Sequence, residues 1–127
     1  MAKEQSEKDF LTEKKSLGEV KIASDVVAAI AALAATEVDG VHSMAGNITN
    51  ELIGKFGMKN LSKGVKVLME NGTVRVDMAV VVNYGYSIPD VSGQVQEKVS
   101  QQIENMTGLV VPEVNVRVAG VNLENTI

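Results

Sequence analysis

The chain has 127 residues, with 16 acidic and 12 basic side chains and a formal net charge of −4. This length suits one domain built around a single hydrophobic core. Cysteine is absent, which excludes disulfides, thiolate metal sites and thiol nucleophiles. Tryptophan is absent as well. The acidic balance disfavours general attraction to nucleic acid or to anionic lipid. Because the charged start of the chain lacks an apolar signal region and no apolar run is long enough to span a membrane, we expect a cytosolic protein.

One folded domain is predicted over residues 18–123. The segment before it, residues 1–17, mixes both charge signs without periodicity and predicts a flexible charged tail. Residues 124–127 are predicted to form a short C-terminal tail.

The first predicted elements are a short strand and a helix. Val20 and Ile22 alternate with charged residues, as expected of a strand with one buried face. Ser24 is a good N-cap for the helix that follows, and the pair Asp39-Gly40 is a typical stop signal. The pattern therefore predicts a helix that ends near Val38.

This helix is apolar on every side over residues 26–35, where six of ten residues are alanine. One sheet cannot cover all sides of a helix, so its outer side needs a second cover. In one interpretation the second helix and the glycine-rich loop supply that cover. In the other, small residues at four-residue spacing form a subunit interface, and the protein is a homo-oligomer; these candidates for self-association are Ala28, Ala31, Ala32 and Ala35.

Two further strands are predicted after a loosely patterned stretch at residues 41–63. Val65, Val67 and Met69 occupy every second position, as in a strand. The pair Asn71-Gly72 then predicts a tight two-residue hairpin turn, because both central residues of such a turn need positive φ. The return strand is long and has its inward positions at Val74, Val76, Met78, Val80 and Val82.

A long amphipathic helix follows at residues 87–106. Its apolar residues recur at three- and four-residue spacing and fall within an arc of about 120°; they are Ile88, Val91, Val95, Val99, Ile103 and Met106. Gly108 predicts the end of the helix. The last strand places Val114, Val116 and Val118 on one face.

The predicted order is β-α-β-β-α-β, which indicates an α+β fold of two layers. Helices that alternate with strand pairs cover one face of a sheet. The alternating strands support this interpretation, since a sheet covered on both faces has continuously apolar strands. We therefore predict a two-layer sandwich, with a mostly antiparallel sheet and both helices on one face. Outward-pointing Arg75, Asp77 and Arg117 would then make the uncovered face a charged docking surface.

No motif for catalysis, cofactor binding or metal binding is found in the sequence. His42 is the only histidine and has only loop carboxylates near it in the chain, which is too few ligands for a metal site. No nucleophile elbow or phosphate-binding loop is present. We therefore predict a protein that is not an enzyme, without a catalytic, cofactor or metal site.

Four cations without an intervening acid form a candidate docking patch: Lys55, Lys59, Lys63 and Lys66. In the simplest interpretation they belong to a solvated loop. A second interpretation is a site for an acidic protein surface. A third is a KH-like RNA-binding module, because Gly54 and Gly57 have the spacing of the GXXG backbone clamp. A full helix follows the clamp in KH domains, whereas only six residues precede the next strand here.

Four segments in the same order resemble the alkaline shock protein family, the Gls-type envelope stress response proteins of Gram-positive bacteria. They are GEVKIASDVVAAIAALAATEVDGV, KGVKV, VDMAVVVNYGYSIPDVSGQVQEKV and NMTGLVVPEVNVRVAGV. The resemblance covers residues 18 to about 123. It includes no catalytic motif and implies a non-enzymatic, cytosolic protein of envelope homeostasis.

The resemblance also implies partners. Relatives are thought to self-assemble and to sit at the inner face of the cell membrane through a separate anchor protein. The sequence around VDGV, MAGN and NMTGL is most similar to a branch of the family that is encoded beside acetyl-CoA carboxylase subunits. It implies that this chain is either a self-assembling scaffold or a modulator of fatty-acid synthesis that binds those subunits. Direct nucleic-acid binding is not implied.

Overall fold

Six strands and two helices follow one another in the computed structural model, which describes residues 10–15, 17–45 and 64–123. In chain order they are β1 (Phe10–Lys15), β2 (Gly18–Ala23), α1 (Ser24–Thr36), β3 (Val41–Met44), β4 (Val65–Glu70), β5 (Thr73–Asn83), α2 (Ile88–Thr107) and β6 (Val110–Asn122). The predicted α+β class is confirmed.

Strand β5 is the central strand of the larger sheet and is paired along both edges. One edge pairs antiparallel with β4 and then, farther along, with β3. The other edge pairs parallel with β6, from Thr73 opposite Val110 to Asn83 opposite Asn122. The sheet is therefore mostly antiparallel, as predicted. The parallel pair arises because α2 carries the chain back along its own length before β6 begins, which is the geometry of a β-α-β crossover.

The order differs from the predicted one by two additional strands. Strand β1 lies in the segment predicted to be a tail and pairs antiparallel with β2, with Leu11 opposite Ile22. The tail prediction is thus corrected for Phe10–Lys15; residues 1–9 and 124–127 lie outside the described residues. The mixed charges of FLTEKK show no apolar alternation from which this strand could have been predicted.

Strand β3 and strand β4 act as two halves of one interrupted strand. The Ala45 N–H donates to the Ala79 carbonyl at 2.8 Å, and the Ala79 N–H donates to the Gly64 carbonyl at 3.0 Å. The chain therefore leaves the sheet after Ala45 and rejoins it at the same residue of β5. The sequence shows only a loosened pattern over residues 41–63, with one or two helical turns predicted around residues 50–55, which lie outside the described residues. It did not predict β3, because residues 46–63 separate the two short strand halves.

The core lies between the inward face of β5 and the two helices. Val74, Val76, Val80 and Val82 are fully buried there, and Met78 is nearly so. They pack in one apolar cluster with residues from α1, α2 and β6. The tight turn that precedes β5 has the predicted geometry, with φ of +49° at Asn71 and +79° at Gly72.

Helix α2 buries the centre of its predicted stripe and exposes both ends. The buried residues are Val91, Val95, Val99 and Ile103. Ile88 is 42% exposed and Met106 is 66% exposed, so the predicted stripe is longer than the buried one. The reason is that these two residues lie in the first and last turns, beyond the area that the sheet covers. The Ser87 side chain caps the start and Gly108, with φ of +76°, ends the helix.

Substitution of Gly64 by alanine is expected to strain the junction between β3 and β4. Gly64 has φ of +87°, and an added Cβ would lie 2.3 Å from the Ala45 carbonyl oxygen. Left-handed backbone alone costs about 1–2 kcal/mol for a residue with a Cβ, so urea melts of Gly64→Ala should show at least that loss. Gly93 in α2 has open space around it, and the matched Gly93→Ala control should stabilise by about 0.5–1 kcal/mol. Equal stability of the two variants would contradict the junction.

The stripe on α2 is tested by one buried and one exposed substitution. Val99 is fully buried, so Val99→Asp places an unpaired carboxylate in the core and should cost several kcal/mol of a total stability of about 5–15 kcal/mol. Gln101 is exposed, and Gln101→Asp should be nearly silent. The free energies of unfolding, measured in urea, should therefore differ widely. If they agree, α2 does not face the sheet through Val99.

Candidate functional site

The face of the larger sheet opposite the two helices, called here the outer face, exposes charged and polar side chains. Cross-strand pairing arranges them in rows. One row joins Leu68 of β4, Arg75 of β5 and Glu113 of β6. The next row joins Lys66, Asp77 and Asn115, and a third places Arg117 beside Ala79. These rows carry the three residues, Arg75, Asp77 and Arg117, that the sequence predicted to point outward.

A hydrogen-bonded network orders the middle of the outer face. The Asn115 side chain donates from Nδ2 to Asp77 Oδ1 and to Glu113 Oε2, both at 2.7 Å. Arg75 Nε lies 3.9 Å from Glu113 Oε1, and both side chains are about half exposed. Exposed pairs of this kind contribute about 0–1 kcal/mol each. The network therefore fixes the directions of the side chains more than it stabilises the fold.

An open groove of about 850 Å³ includes Asp77 and Asn115 of this network and extends to Asp25 in the first turn of α1. Gly64 and Ala79 contribute little side-chain bulk to it. Lys66 and Arg117 are cations that form no ion pair within the described part of the chain. The complete lining is Asp25, Gly64, Val65, Lys66, Asp77, Met78, Ala79, Asn115, Val116 and Arg117.

Of the predicted docking lysines, Lys66 lies on this groove. Lys55, Lys59 and Lys63 lie outside the described residues, and so does the loop with Gly54 and Gly57 that suggested an RNA clamp. The cationic docking patch therefore remains a prediction for all four lysines, of which the structure describes only Lys66.

The four alanines predicted to mediate self-association are buried within the single chain. Ala31 and Ala35 are fully buried in the main apolar cluster, and Ala28 and Ala32 are 6% and 3% exposed. Their burial argues against a subunit interface at these positions. Helix α1 instead exposes Val26 and Leu33 to solvent; they are 46% and 53% exposed. The sequence could not separate these faces because every residue between them is apolar.

His42 lies in β3, beyond the end of α1, and takes part in a small polar cluster. Its Nδ1 is 3.1 Å from Asn122 Nδ2, which also donates to Asn83 Oδ1 at 3.1 Å. Within the described ranges no group of three histidine or carboxylate side chains is placed to hold a metal ion. Of the two helices that the structure describes, neither is long and apolar enough to cross a membrane.

Several known proteins are similar to this chain. The model of the alkaline shock protein 23 family, described as having a "cell envelope-related function", matches residues 12–123. The uncharacterized protein YqhY of Bacillus subtilis (strain 168) is 42% identical over 108 residues, which cover 85% of this chain and 80% of that protein. A stress response regulator gls24 homolog of Streptococcus pyogenes serotype M3 (strain ATCC BAA-595 / MGAS315) is 29% identical over 82% of this chain, and the match spans 59% of that longer protein.

A solved structure, the nickel form of the MamM CTD variant E289H, is similar with a TM-score of 0.48 and 12% identity. That match covers 76% of this chain and 96% of the MamM chain, and at this score it supports no inference about activity or assembly. The family model spans nearly all of the described fold, from β1 to the end of β6. The chain therefore belongs to the alkaline shock protein 23 family, whose members have cell envelope-related functions.

Proposed function

We propose that this protein acts in cell-envelope stress response and homeostasis by binding other proteins, without catalysing a reaction. It works in the cytosol, either as a self-assembling scaffold or as a modulator of fatty-acid synthesis, and reaches the inner face of the membrane only through a partner. The observation that carries the proposal is the outer face, where an ordered polar surface is left uncovered by the helices. The family description and the stress-regulator relatives support the envelope context.

The chemistry of the outer face favours protein recognition over catalysis. Two of its carboxylates, Asp77 and Glu113, already accept hydrogen bonds from Asn115. Positioned charges of this kind give specificity and orientation in a protein complex. Lys66 and Arg117 have no carboxylate partner within the described residues and would pair with acidic groups of another protein.

The partners that fit this proposal are those implied by the resemblance, a membrane anchor protein or the subunits of acetyl-CoA carboxylase. The cationic segment with Lys55, Lys59 and Lys63 precedes Lys66 in the chain, and we propose that it adds cations for the same partner. An acidic segment of the partner is therefore the expected binding element.

Reversal of one groove charge should weaken partner capture without affecting the fold. We expect tagged wild-type protein to capture carboxylase subunits or a membrane anchor from a lysate of its own organism, and Lys66→Glu to capture much less, with a dependence on salt. Lys21 is exposed in β2, so Lys21→Glu makes the same charge change away from the groove and should bind normally. The double variant Lys59→Glu, Lys63→Glu tests the rest of the cationic segment in the same way.

Three outcomes would contradict the proposal. Capture that is independent of salt, or equal for Lys66→Glu and Lys21→Glu, would remove the groove from partner binding. Recovery of RNA instead of these proteins would favour the KH-like alternative at Gly54 and Gly57. Enrichment of neither protein class by the wild-type chain would remove both partner assignments.

A further inference from the structure

The hydrogen-bonding direction of each residue in β5 follows from Ala79. Both backbone groups of Ala79 bond toward β3 and β4. Successive residues of a strand direct these groups to opposite edges. Val76, Met78 and Val80 therefore direct theirs toward β6, and their register partners in β6 are Val114, Val116 and Val118.

Among the residues that the structure describes, this parity leaves one edge of β6 without a neighbouring strand. In a pair of parallel strands, a residue whose N–H and C=O groups point toward the other strand forms hydrogen bonds with the two residues that flank its register partner. Val76 and Met78 thus bond to residues such as Asn115 and Arg117, while Val114, Val116 and Val118 point their N–H and C=O groups away from β5. The structure agrees at Val114, whose carbonyl accepts a hydrogen bond from outside the sheet, from Gln96 of α2.

Helix α2 caps only the first half of this open edge. Glu104 Oε2 accepts from the Val111 N–H at 2.9 Å, and Gln96 Nε2 donates to the Val114 carbonyl at 3.1 Å. Beyond Val114, no described side chain caps Val116 or Val118, and their side chains are only half buried. Uncovered backbone groups of this kind are a template for another strand.

We propose that the open edge of β6 pairs antiparallel with the same edge of a second copy, so that the two sheets become continuous. This proposal rests on the self-assembly included in the proposed function and names the surface at which copies meet. It places the contact on β6 instead of on the α1 alanines.

Charge complementarity along the edge favours a second copy of the chain as the partner and also determines the register of the strand pair. Arg117 has no carboxylate partner within the described part of its own chain. When two copies are related by a two-fold axis at Asn115, Arg117 lies opposite the partner subunit's Glu113, and this pair occurs twice. The same register places Val114 opposite the partner subunit's Val116, so the Val114 N–H would donate to that residue, and the Val114 carbonyl, which has two lone pairs, would accept from the partner in addition to Gln96. Val118 lies opposite the partner subunit's Pro112, which has no N–H, so the ladder ends there. A two-fold axis at Arg117 would instead place two arginines opposite each other, and like charges in that position destabilise a strand pair.

Two single charge reversals and their mixture test the proposal. In a dimer of the Arg117→Glu variant, the new glutamate lies opposite the partner's Glu113 at both contacts. In a dimer of the Glu113→Arg variant, the new arginine lies opposite the partner's Arg117 at both contacts. Because like charges repel, each variant alone should self-associate about tenfold more weakly than wild type. In an equimolar mixture of the two variants, both contacts pair opposite charges. Sedimentation equilibrium of the purified full chains should therefore show that the mixture regains near wild-type association.

The outcomes separate this contact from self-assembly in general. Both substituted side chains are exposed, and urea melts should confirm that each variant is folded. If wild type associates but the single variants associate equally well, or if the mixture does not recover, the β6 contact is wrong while self-assembly stands. If the wild-type chain is monomeric at about 100 μM, an affinity weaker than about −5.5 kcal/mol, both are overturned. Partner capture through Lys66 is a separate measurement.

Discussion

Strand β5 is the constraint on which the rest of the structure depends. It is hydrogen-bonded along both edges, to β3 and β4 on one side and to β6 on the other. Its inward residues, including Val76 and Val80, are fully buried beneath the helices. Because side chains alternate along a strand, burial of that row sends Arg75 and Asp77 to the opposite face. The same strand therefore builds the core and positions the outer face.

The sequence was most informative where a pattern is local. The Asn71-Gly72 turn, the buried positions of β5 and the centre of the α2 stripe are confirmed, because each depends on spacing within one element. Less local features were missed. Strand β3 is separated from its other half, β4, by residues 46–63, and the parallel β5–β6 pair depends on a crossover. Which side of α1 is buried could also not be predicted from the sequence, since a helix that is apolar all round does not indicate which alanines face inward.

The outer face was only partly predictable, for a related reason. Alternation alone indicated that Arg75, Asp77 and Arg117 point outward. The bonds from Asn115 to Asp77 and Glu113 depend on the register of two strands distant in sequence. The open edge of β6 could not be predicted from the sequence, because it depends on the direction of the backbone N–H and C=O groups and not on residue type. Gln96 and Glu104 resemble ordinary polar residues on the solvent side of α2 until their backbone partners are known.

These features describe a domain that uses one sheet in two ways. Its helix side is closed by apolar packing, while none of the described residues covers the outer face or the edge of β6 at Val116 and Val118. Such an arrangement fits the proposed binding function, because the core residues of β5 lie on the helix side of the sheet. Under that proposal, the envelope-related role of the chain depends on which protein occupies each surface.

Residue-specific amide hydrogen exchange of the dilute, monomeric protein tests the central position of β5 most directly. Arg75, Asp77 and Ala79 bond to one edge and Val76, Met78 and Val80 to the other, so the account predicts slow exchange at all six. In β6 it predicts slow exchange at Asn115 and Arg117 and fast exchange at Val116 and Val118. Fast exchange at alternate residues of β5, or the reverse alternation in β6, would contradict the account.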